Sequence, residues 1–114
     1  MRMIALFCEH GITGWRRRQA VFGKPDFIFR RERVALFVDG CFWHGCPKPK
    51  HAPRPKSRVD WWAAKLDRNK ARDRLVTRTL RQEGWRVIRV WECALAARNW
   101  SRLACRIIAA LARD

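Results

Sequence analysis

Four residues of the sequence stand out as candidate ligands of a single transition-metal site. Cys41, Cys46 and His51 lie in one segment rich in Pro and Lys, and Cys93 follows a later apolar segment. Thiolate and imidazole are the ligands of tetrahedral Zn²⁺. If the apolar segments before Cys41 and Cys93 are neighbouring strands, both sulfurs reach the same edge of a sheet. The sequence therefore predicts a structural zinc site, and its apparent binding free energy of roughly 10–16 kcal/mol would dominate the stability of a small domain.

Two aspartates and a histidine predict a second, catalytic metal site. Asp26 begins one apolar segment and Asp39 ends the next, so a hairpin would place the two carboxylates side by side. Carboxylates suit Mg²⁺, which activates a bound water and neutralises the charge that develops on a phosphate. His44 follows closely and can take the proton of an attacking water. The alternative is that each aspartate is only a turn former or an ion-pair partner.

The two remaining cysteines are expected to be structural. The chain has five cysteines, and its N-terminus is interrupted too soon, by Glu9 and Gly11, to be a convincing secretory signal. An odd number of cysteines without such a signal argues against a disulfide framework. Because Cys8 and Cys105 lie in apolar helical patterns, we expect both to be buried thiols without a metal.

The net charge indicates a polyanionic partner. The 114 residues include 26 Lys and Arg against 10 Asp and Glu, a formal net charge of +16. Such a compact domain attracts nucleic acid; an anionic membrane surface is the weaker alternative, and a merely soluble basic protein is the third. Seven Trp and no Tyr favour base stacking for some indoles and core packing for at least half. No apolar run approaches the roughly 18 residues of a membrane-spanning helix.

The hydrophobic pattern predicts one α/β or α+β domain, in which helices pack on a mixed β-sheet. Strands are predicted at Trp15–Phe22, Asp26–Phe29, Val34–Asp39 and Trp85–Glu92, and helices over residues 3–9, 58–83 and 100–113. The third strand contains the run VALFV, which is apolar on both faces. This run predicts a central strand that is covered on both sides.

The long predicted helix has an apolar stripe with two polar members. The stripe recurs at spacings of three and four residues and consists of Val59, Trp62, Leu66, Asn69, Asp73, Val76 and Leu80. Polar groups on a buried stripe need partners. Asn69 and Asp73 therefore form either a structural hydrogen-bond network or part of a functional site, and the pattern leaves both interpretations open.

Four sequence blocks carry a family resemblance. They are PDFIF, VALFVDGCFWHGCP, WWAAKLDRNKARDR and GWRVIRVWECAL, and they fall within residues 15–97. Together they resemble the very short patch repair (Vsr) DNA mismatch endonucleases, which belong to the PD-(D/E)XK restriction-endonuclease-like superfamily. The resemblance implies one restriction-endonuclease-like domain over residues 1–114, with a mixed central sheet flanked by helices. It also implies a Mg²⁺-dependent enzyme that nicks one strand of double-stranded DNA at T·G mismatches. The enzyme is expected to be a monomer in the bacterial cytoplasm, associated with the nucleoid when it binds DNA and not with a membrane.

The resemblance also implies a role for each candidate site residue. Asp26 would bind Mg²⁺ together with the backbone carbonyl of Val38, and His44 would activate the attacking water. Asp39 stands where some family members have His, so the family does not fix its role as a direct ligand. The implied zinc ligands are Cys41, Cys46 and Cys93, with His51 as the candidate for the fourth.

DNA contacts are implied for aromatic and basic residues. An aromatic wedge beside the mismatch is implied for Phe42, Trp43 and Trp62, and the family's helix pattern is matched by Lys65, Asn69, Arg72 and Asp73. Wedging unstacks a base step most easily where a mismatch has already weakened the stack. Flanking basic residues would hold phosphates; they are Lys48, Lys50, Arg54, Lys56 and Arg58.

The sequence departs from the family pattern in two places, and these keep two alternative functions open. The superfamily's usual (D/E)-x-Lys is absent, because Asp39-Gly40-Cys41 contains no lysine. The family's helical N-terminal arm is expected to be truncated, since Glu9 is the only acid before Asp26. The alternatives are a restriction-like nuclease of different specificity and a zinc-stabilised DNA-binding module without cleavage.

Overall fold

The protein is an α+β domain built on a four-stranded mixed sheet. A computed structural model describes residues 2–40 and 58–112. The elements are α1 (Arg2–Glu9), β1 (Trp15–Arg16), β2 (Phe27–Phe29), β3 (Val34–Asp39), α2 (Val59–Gln82), β4 (Arg86–Trp91), two short 3₁₀ helices (Glu92–Leu95 and Ala97–Asn99) and α3 (Trp100–Leu111). The strand order is β1-β2-β3-β4, with β1, β2 and β3 antiparallel and β4 parallel to β3. Within these ranges no helix is both long and apolar enough to cross a bilayer.

Strand β3 is buried on both faces, as its apolar run predicts. Val34 and Leu36 contribute to a core that includes residues of α1 and α3. Ala35 and Phe37 point to the opposite face and contact a second core, which includes Val76 of α2. Because successive side chains of a strand alternate between faces, α2 covers one face of the sheet, and α1 and α3 cover the other.

Helix α2 connects the two parallel strands and confirms the long predicted helix. Its buried side chains are Leu66, Val76 and Leu80. Beyond its C-terminus, the Arg33 guanidinium donates to the Glu83 carbonyl (2.7 Å) and stacks on the Trp85 indole, 4.6 Å from the ring centroid. The prediction that Val59 belongs to the buried stripe is wrong, because this first residue of the helix is 57% exposed.

The predicted strand Trp15–Phe22 is wrong beyond its second residue. Strand β1 ends at Arg16, and Arg18 adopts a left-handed backbone conformation with φ 55°. The Gln19 side chain then donates to the carbonyl of Arg17 (3.0 Å), and the amide of Val21 donates to the carbonyl of Gln19 (2.9 Å). These local hydrogen bonds replace the ladder that a longer strand would need.

The expectation of buried thiols at Cys8 and Cys105 is also wrong. Both side chains are exposed, because α1 and α3 turn other residues toward the core. The residues buried there are Met3, Leu6 and Phe7 of α1 and Leu103, Ala104 and Ile107 of α3. Cys8 and Cys105 directly follow buried residues in sequence, and the helical period rotates them out of the core.

Gly23 marks a close approach between the β1–β2 connection and α2. Its φ is +80°, and a Cβ built on it would lie 2.3 Å from Cγ1 of Val76. We expect Gly23→Ala to lower the free energy of unfolding by about 2–4 kcal/mol, since it adds a steric clash to left-handed strain. Urea unfolding measures this change.

A matched control for Gly23→Ala is Gly14→Ala. Gly14 has a similar φ of +85° but nothing within 4 Å of the added Cβ, so only the strain of about 1–2 kcal/mol applies. Equal losses in the two variants would contradict the packing explanation. Combining Gly23→Ala with Val76→Ala should remove the clash and give less than the sum of the two single losses.

Candidate active site

A polar cleft of about 540 Å³ lies between the β2–β3 hairpin and α2. The described residues that line it are Gly23, Lys24, Asp26, Phe37, Val38, Asp39, Lys65, Asn69, Arg72, Asp73, Val76 and Arg89. The cleft thus combines three carboxylates with four basic side chains. It brings together the residues that the sequence predicts for Mg²⁺ binding and the polar residues predicted on the long helix.

Asp26 is held against the end of β3 by a short hydrogen bond. The amide of Val38 donates to Oδ2 of Asp26 over 2.7 Å, and the preceding Pro25 is buried. The N–H and C=O of one strand residue point to the same side of the strand, so the Val38 carbonyl lies on the Asp26 side as well. The proximity of Asp26 and Val38 that the family resemblance implies is therefore present.

Asp39 ends β3 and is an ion-pair partner of Arg89 in β4. Its carboxylate is 7% exposed and accepts from Nη1 of Arg89 at 3.0 Å and 3.3 Å. The same guanidinium donates to Thr77 Oγ1 (2.8 Å) and to the Asp73 carbonyl (3.2 Å). It also covers the Phe37 ring at 4.1 Å from the centroid. Arg89 therefore joins β3, β4 and α2 behind the cleft.

Replacing Arg89 with methionine should lower the free energy of unfolding by about 3 kcal/mol. The variant leaves the buried Asp39 carboxylate without this guanidinium, and breaking a buried pair from one side is costly. Thermal or urea unfolding measures the loss. Arg98→Met is the control, because Arg98 is exposed. If Arg89→Met were as stable as Arg98→Met, the ion pair would have no role in positioning the end of β3.

The α2 side of the cleft holds both polar residues of the interrupted stripe. Asn69 and Asp73 are half-buried and line the cleft with Lys65 and Arg72. Nη1 of Arg89 lies 3.8 Å from Oδ1 of Asp73. The stripe is polar at these positions because it faces the cleft, whereas its apolar members Leu66, Val76 and Leu80 are buried.

Two tryptophans lie in the N-terminal turn of α2, with one basic residue just before the helix and one in its second turn. Trp61 is 42% exposed, and its ring lies 4.7 Å from that of the half-buried Trp62, edge to face. Arg58 and Lys65 lie over the Trp61 ring at 4.9 Å and 5.5 Å. Trp62, which the sequence predicts to contact DNA, therefore packs beside a more exposed indole that was not predicted.

Cys93 lies at the same end of the sheet as the cleft. The parallel register pairs Asp39 with Trp91, and the half-buried Cys93 follows in the first 3₁₀ helix. Among residues 2–40 and 58–112, no three His, Cys, Asp or Glu side chains group as a metal site. The other predicted site residues lie outside the described residues; they are Cys41, Phe42, Trp43, His44, Cys46, Lys48, Lys50, His51, Arg54 and Lys56.

Comparison with known proteins identifies the family. The family model described as DNA mismatch endonuclease Vsr matches residues 1–49. The DNA mismatch endonuclease Vsr of Escherichia coli K12 is 36% identical over 100 residues, which cover 86% of this chain and 62% of the relative. The chain belongs to the Vsr family.

Other relatives of this Vsr family member are nicking enzymes. The type II nicking enzyme V.NaeI of Lentzea aerocolonigenes is 51% identical over 69 residues, 60% of this chain and 40% of the relative. The type II nicking enzyme V.XorIIP of Xanthomonas oryzae pv. oryzae is 46% identical over 83 residues, 69% of this chain and 57% of the relative. The chain spans about half the length of these curated relatives.

Two charged residues of the cleft in this Vsr family member were not among the sequence-based site predictions. Lys24 lies in the turn before Asp26 with φ 52°, and Arg89 lies in the middle of β4. The signal for Arg89 was present in the segment WRVIRVWE, where a charged residue interrupts an apolar strand. Such a residue on a covered sheet face needs a buried partner, which is Asp39 here.

Proposed function

We propose that this chain is a Mg²⁺-dependent DNA endonuclease that nicks one strand at T·G mismatches, on a restriction-endonuclease-like fold. The observation that carries the proposal is the pairing of Asp26 with Val38 at the mouth of a cleft rich in basic side chains. A carboxylate and a backbone carbonyl are ligand types for a hard divalent cation. The surrounding Lys and Arg side chains suit a phosphate.

The donor set of the cleft fits a divalent cation. Only Oδ2 of Asp26 accepts from Val38, and a carboxylate has further lone pairs on its second oxygen. Asp26 and the Val38 carbonyl would hold the ion. When bound, Mg²⁺ would neutralise charge on the phosphate and activate water. Asp39 stays a candidate site residue, and its contacts with Arg89 favour a role in positioning the end of β3.

The chain's own residues would bind and orient the DNA backbone. Lys24, Lys65 and Arg72 line the cleft. Their charged groups can contact the non-bridging oxygens of the attacked phosphate and of its neighbours. Asn69 can donate its amide N–H groups to the same phosphate or to the adjacent sugar. The proposed general base is His44, the histidine of the DGCFWHGCP block.

Structural zinc is the second metal of the proposal. Asp39 and Trp91, the last residues of β3 and β4, are paired in the sheet. Cys41 comes two residues after Asp39 in the sequence, and Cys93 comes two residues after Trp91. Parallel strands place such residues at the same edge of the sheet. With Cys46 and His51 they would complete a tetrahedral site. The support for this zinc site is the register of β3 with β4 and the equal spacing of Cys41 and Cys93 from the ends of these strands.

Mismatch preference would come from aromatic side chains inserted into the base stack. Trp62, on the first turn of α2, would act with Phe42 and Trp43. Unstacking is least costly at a mismatch, so a wedge favours T·G sites without reading many base edges. The Escherichia coli relative is named a DNA mismatch endonuclease.

A second candidate is a nicking enzyme with another specificity, because several relatives are named type II nicking enzymes. Single-turnover nicking of two duplexes that differ only in T·G or T·A separates the candidates. We expect at least about tenfold faster nicking of the T·G duplex, the discrimination that about 1.4 kcal/mol supplies. Equal rates would favour the second candidate.

A further inference from the structure

A second cleft, of about 620 Å³, lies on the other side of α2 and is lined mainly by arginines. Arg74, Arg78 and Arg81 line it from the helix, together with Thr77 and Gln82. Asp73 and Arg89 belong to both clefts and therefore form the wall between them. We name Arg74, Arg78 and Arg81 the arginine row.

The arginine row carries charge that the described part of the protein does not compensate. All three side chains are exposed, and within residues 2–40 and 58–112 none of them forms an ion pair with a carboxylate. The one acid that lines the cleft, Asp73, lies 3.8 Å from Arg89 instead. By contrast, Arg86 and Arg89 donate to protein oxygens. Three like charges on one side of a helix repel one another, so a bound polyanion would stabilise the row.

We propose that the arginine row binds the phosphate backbone of duplex DNA outside the candidate active site. The inference rests on the proposed function and adds a second contact to the same ligand. From Arg74 to Arg81 the helix rises about 10 Å, and phosphates follow one another every ~3.4 Å of axis along one DNA strand. With α2 parallel to the DNA axis, the row would span about three phosphates.

The position of the row places these phosphates beside the cleavage site. Arg72 lines the first cleft and Arg78 the second, and six residues of α-helix separate them by about 9 Å along the axis. Because the two clefts also lie on different sides of α2, the backbone that leaves the first cleft would meet the row several nucleotides away. Arginine suits this contact because its planar guanidinium can bind a phosphate through two parallel hydrogen bonds.

The salt dependence of DNA binding tests the row. Each phosphate contact that is lost reduces the slope of log K against log salt concentration by about 0.9. We expect Arg78→Ala/Arg81→Ala to bind a matched duplex more weakly than the wild type, with a slope shallower by about 1.8. Fluorescence anisotropy at several salt concentrations measures both quantities. Arg78→Lys/Arg81→Lys should keep most of the slope, because the charges remain.

Arg98→Ala/Arg102→Ala is the matched control. It also removes two exposed positive charges, one from the second 3₁₀ helix and one from the first turn of α3, which packs on the opposite face of the sheet. This variant should keep the wild-type slope. Equal changes in both double variants would overturn the proposal, because net charge alone would explain them. An unchanged slope in Arg78→Ala/Arg81→Ala would also overturn it.

The failure of the row and the failure of the proposed function give different results. Nicking of a T·G duplex by the wild type reports on the proposed function, and the difference in salt slopes reports on the row. If the wild type nicks DNA while the slopes agree, only the row is wrong. If the slopes differ while the wild type does not nick, the row binds DNA and the chain is a binding module. If the wild type does not bind duplex DNA, both proposals are wrong.

Discussion

Replacing Asp26 with asparagine is expected to lower the rate of DNA nicking by about 10³-fold or more. A bound cation lowers the barrier to phosphodiester hydrolysis by several kcal/mol, and each ~1.4 kcal/mol changes the rate tenfold. Asparagine keeps the shape and can still accept the Val38 hydrogen bond, but it loses the negative charge that attracts a divalent cation. Single-turnover nicking of a T·G duplex measures the effect.

Asp67→Asn is the control for Asp26→Asn. Asp67 is an exposed acid of α2 and does not line the cleft, so its variant should nick at the wild-type rate. Asp26→Asn should still bind the duplex, because its basic residues are unchanged. If Asp26→Asn nicked as fast as the wild type, the assignment of Asp26 as a ligand of the catalytic cation would be wrong.

Replacing Cys93 with serine is expected to remove zinc from the protein. The wild type should contain about one Zn²⁺ per chain, and a serine hydroxyl is a poor substitute for a thiolate ligand. Because the free energy of binding a structural zinc is also free energy of folding, the variant should unfold at a temperature lower by ten degrees or more, at about 4–8 °C per kcal/mol for a domain of this size. Metal analysis and thermal unfolding measure the two effects.

Cys105→Ser and Cys8→Ser are the controls for the zinc prediction. Both cysteines are exposed on helices that pack on the face of the sheet opposite α2. Their variants should keep one zinc and the wild-type unfolding temperature. A Cys93→Ser protein that is folded and fully loaded with zinc would show that Cys93 is not a ligand.

Much of the fold follows from short-range patterns. The run VALFV predicts a doubly covered central strand because no polar residue interrupts it, and β3 is buried on both faces. The placement of Asp26 beside the end of β3 follows from the hairpin, since one turn fixes the relation of β2 to β3, whereas the choice of Val38 comes from the family resemblance. The long stripe of α2 predicts the helix within about one residue at each end.

Other features depend on contacts between distant segments. Arg89 reaches Asp39 across fifty residues of sequence, as the ladder of two parallel strands allows. The exposed positions of Cys8 and Cys105 depend on the rotation of α1 and α3 about their own axes, which apolar composition alone does not fix. The early end of β1 depends on the left-handed conformation of Arg18, which the residue type does not favour.

Strand-resolved nicking by the wild-type protein tests the central claim most directly. The substrate is a duplex with one T·G mismatch and a different label on each strand, incubated with Mg²⁺, in buffer dialysed free of Mg²⁺, and after Mg²⁺ is added back. The account predicts one cut, in one strand of the duplex only, which removal of Mg²⁺ abolishes and restored Mg²⁺ recovers. Undiminished cutting without Mg²⁺, cuts in both strands, or DNA binding without any cut would contradict it.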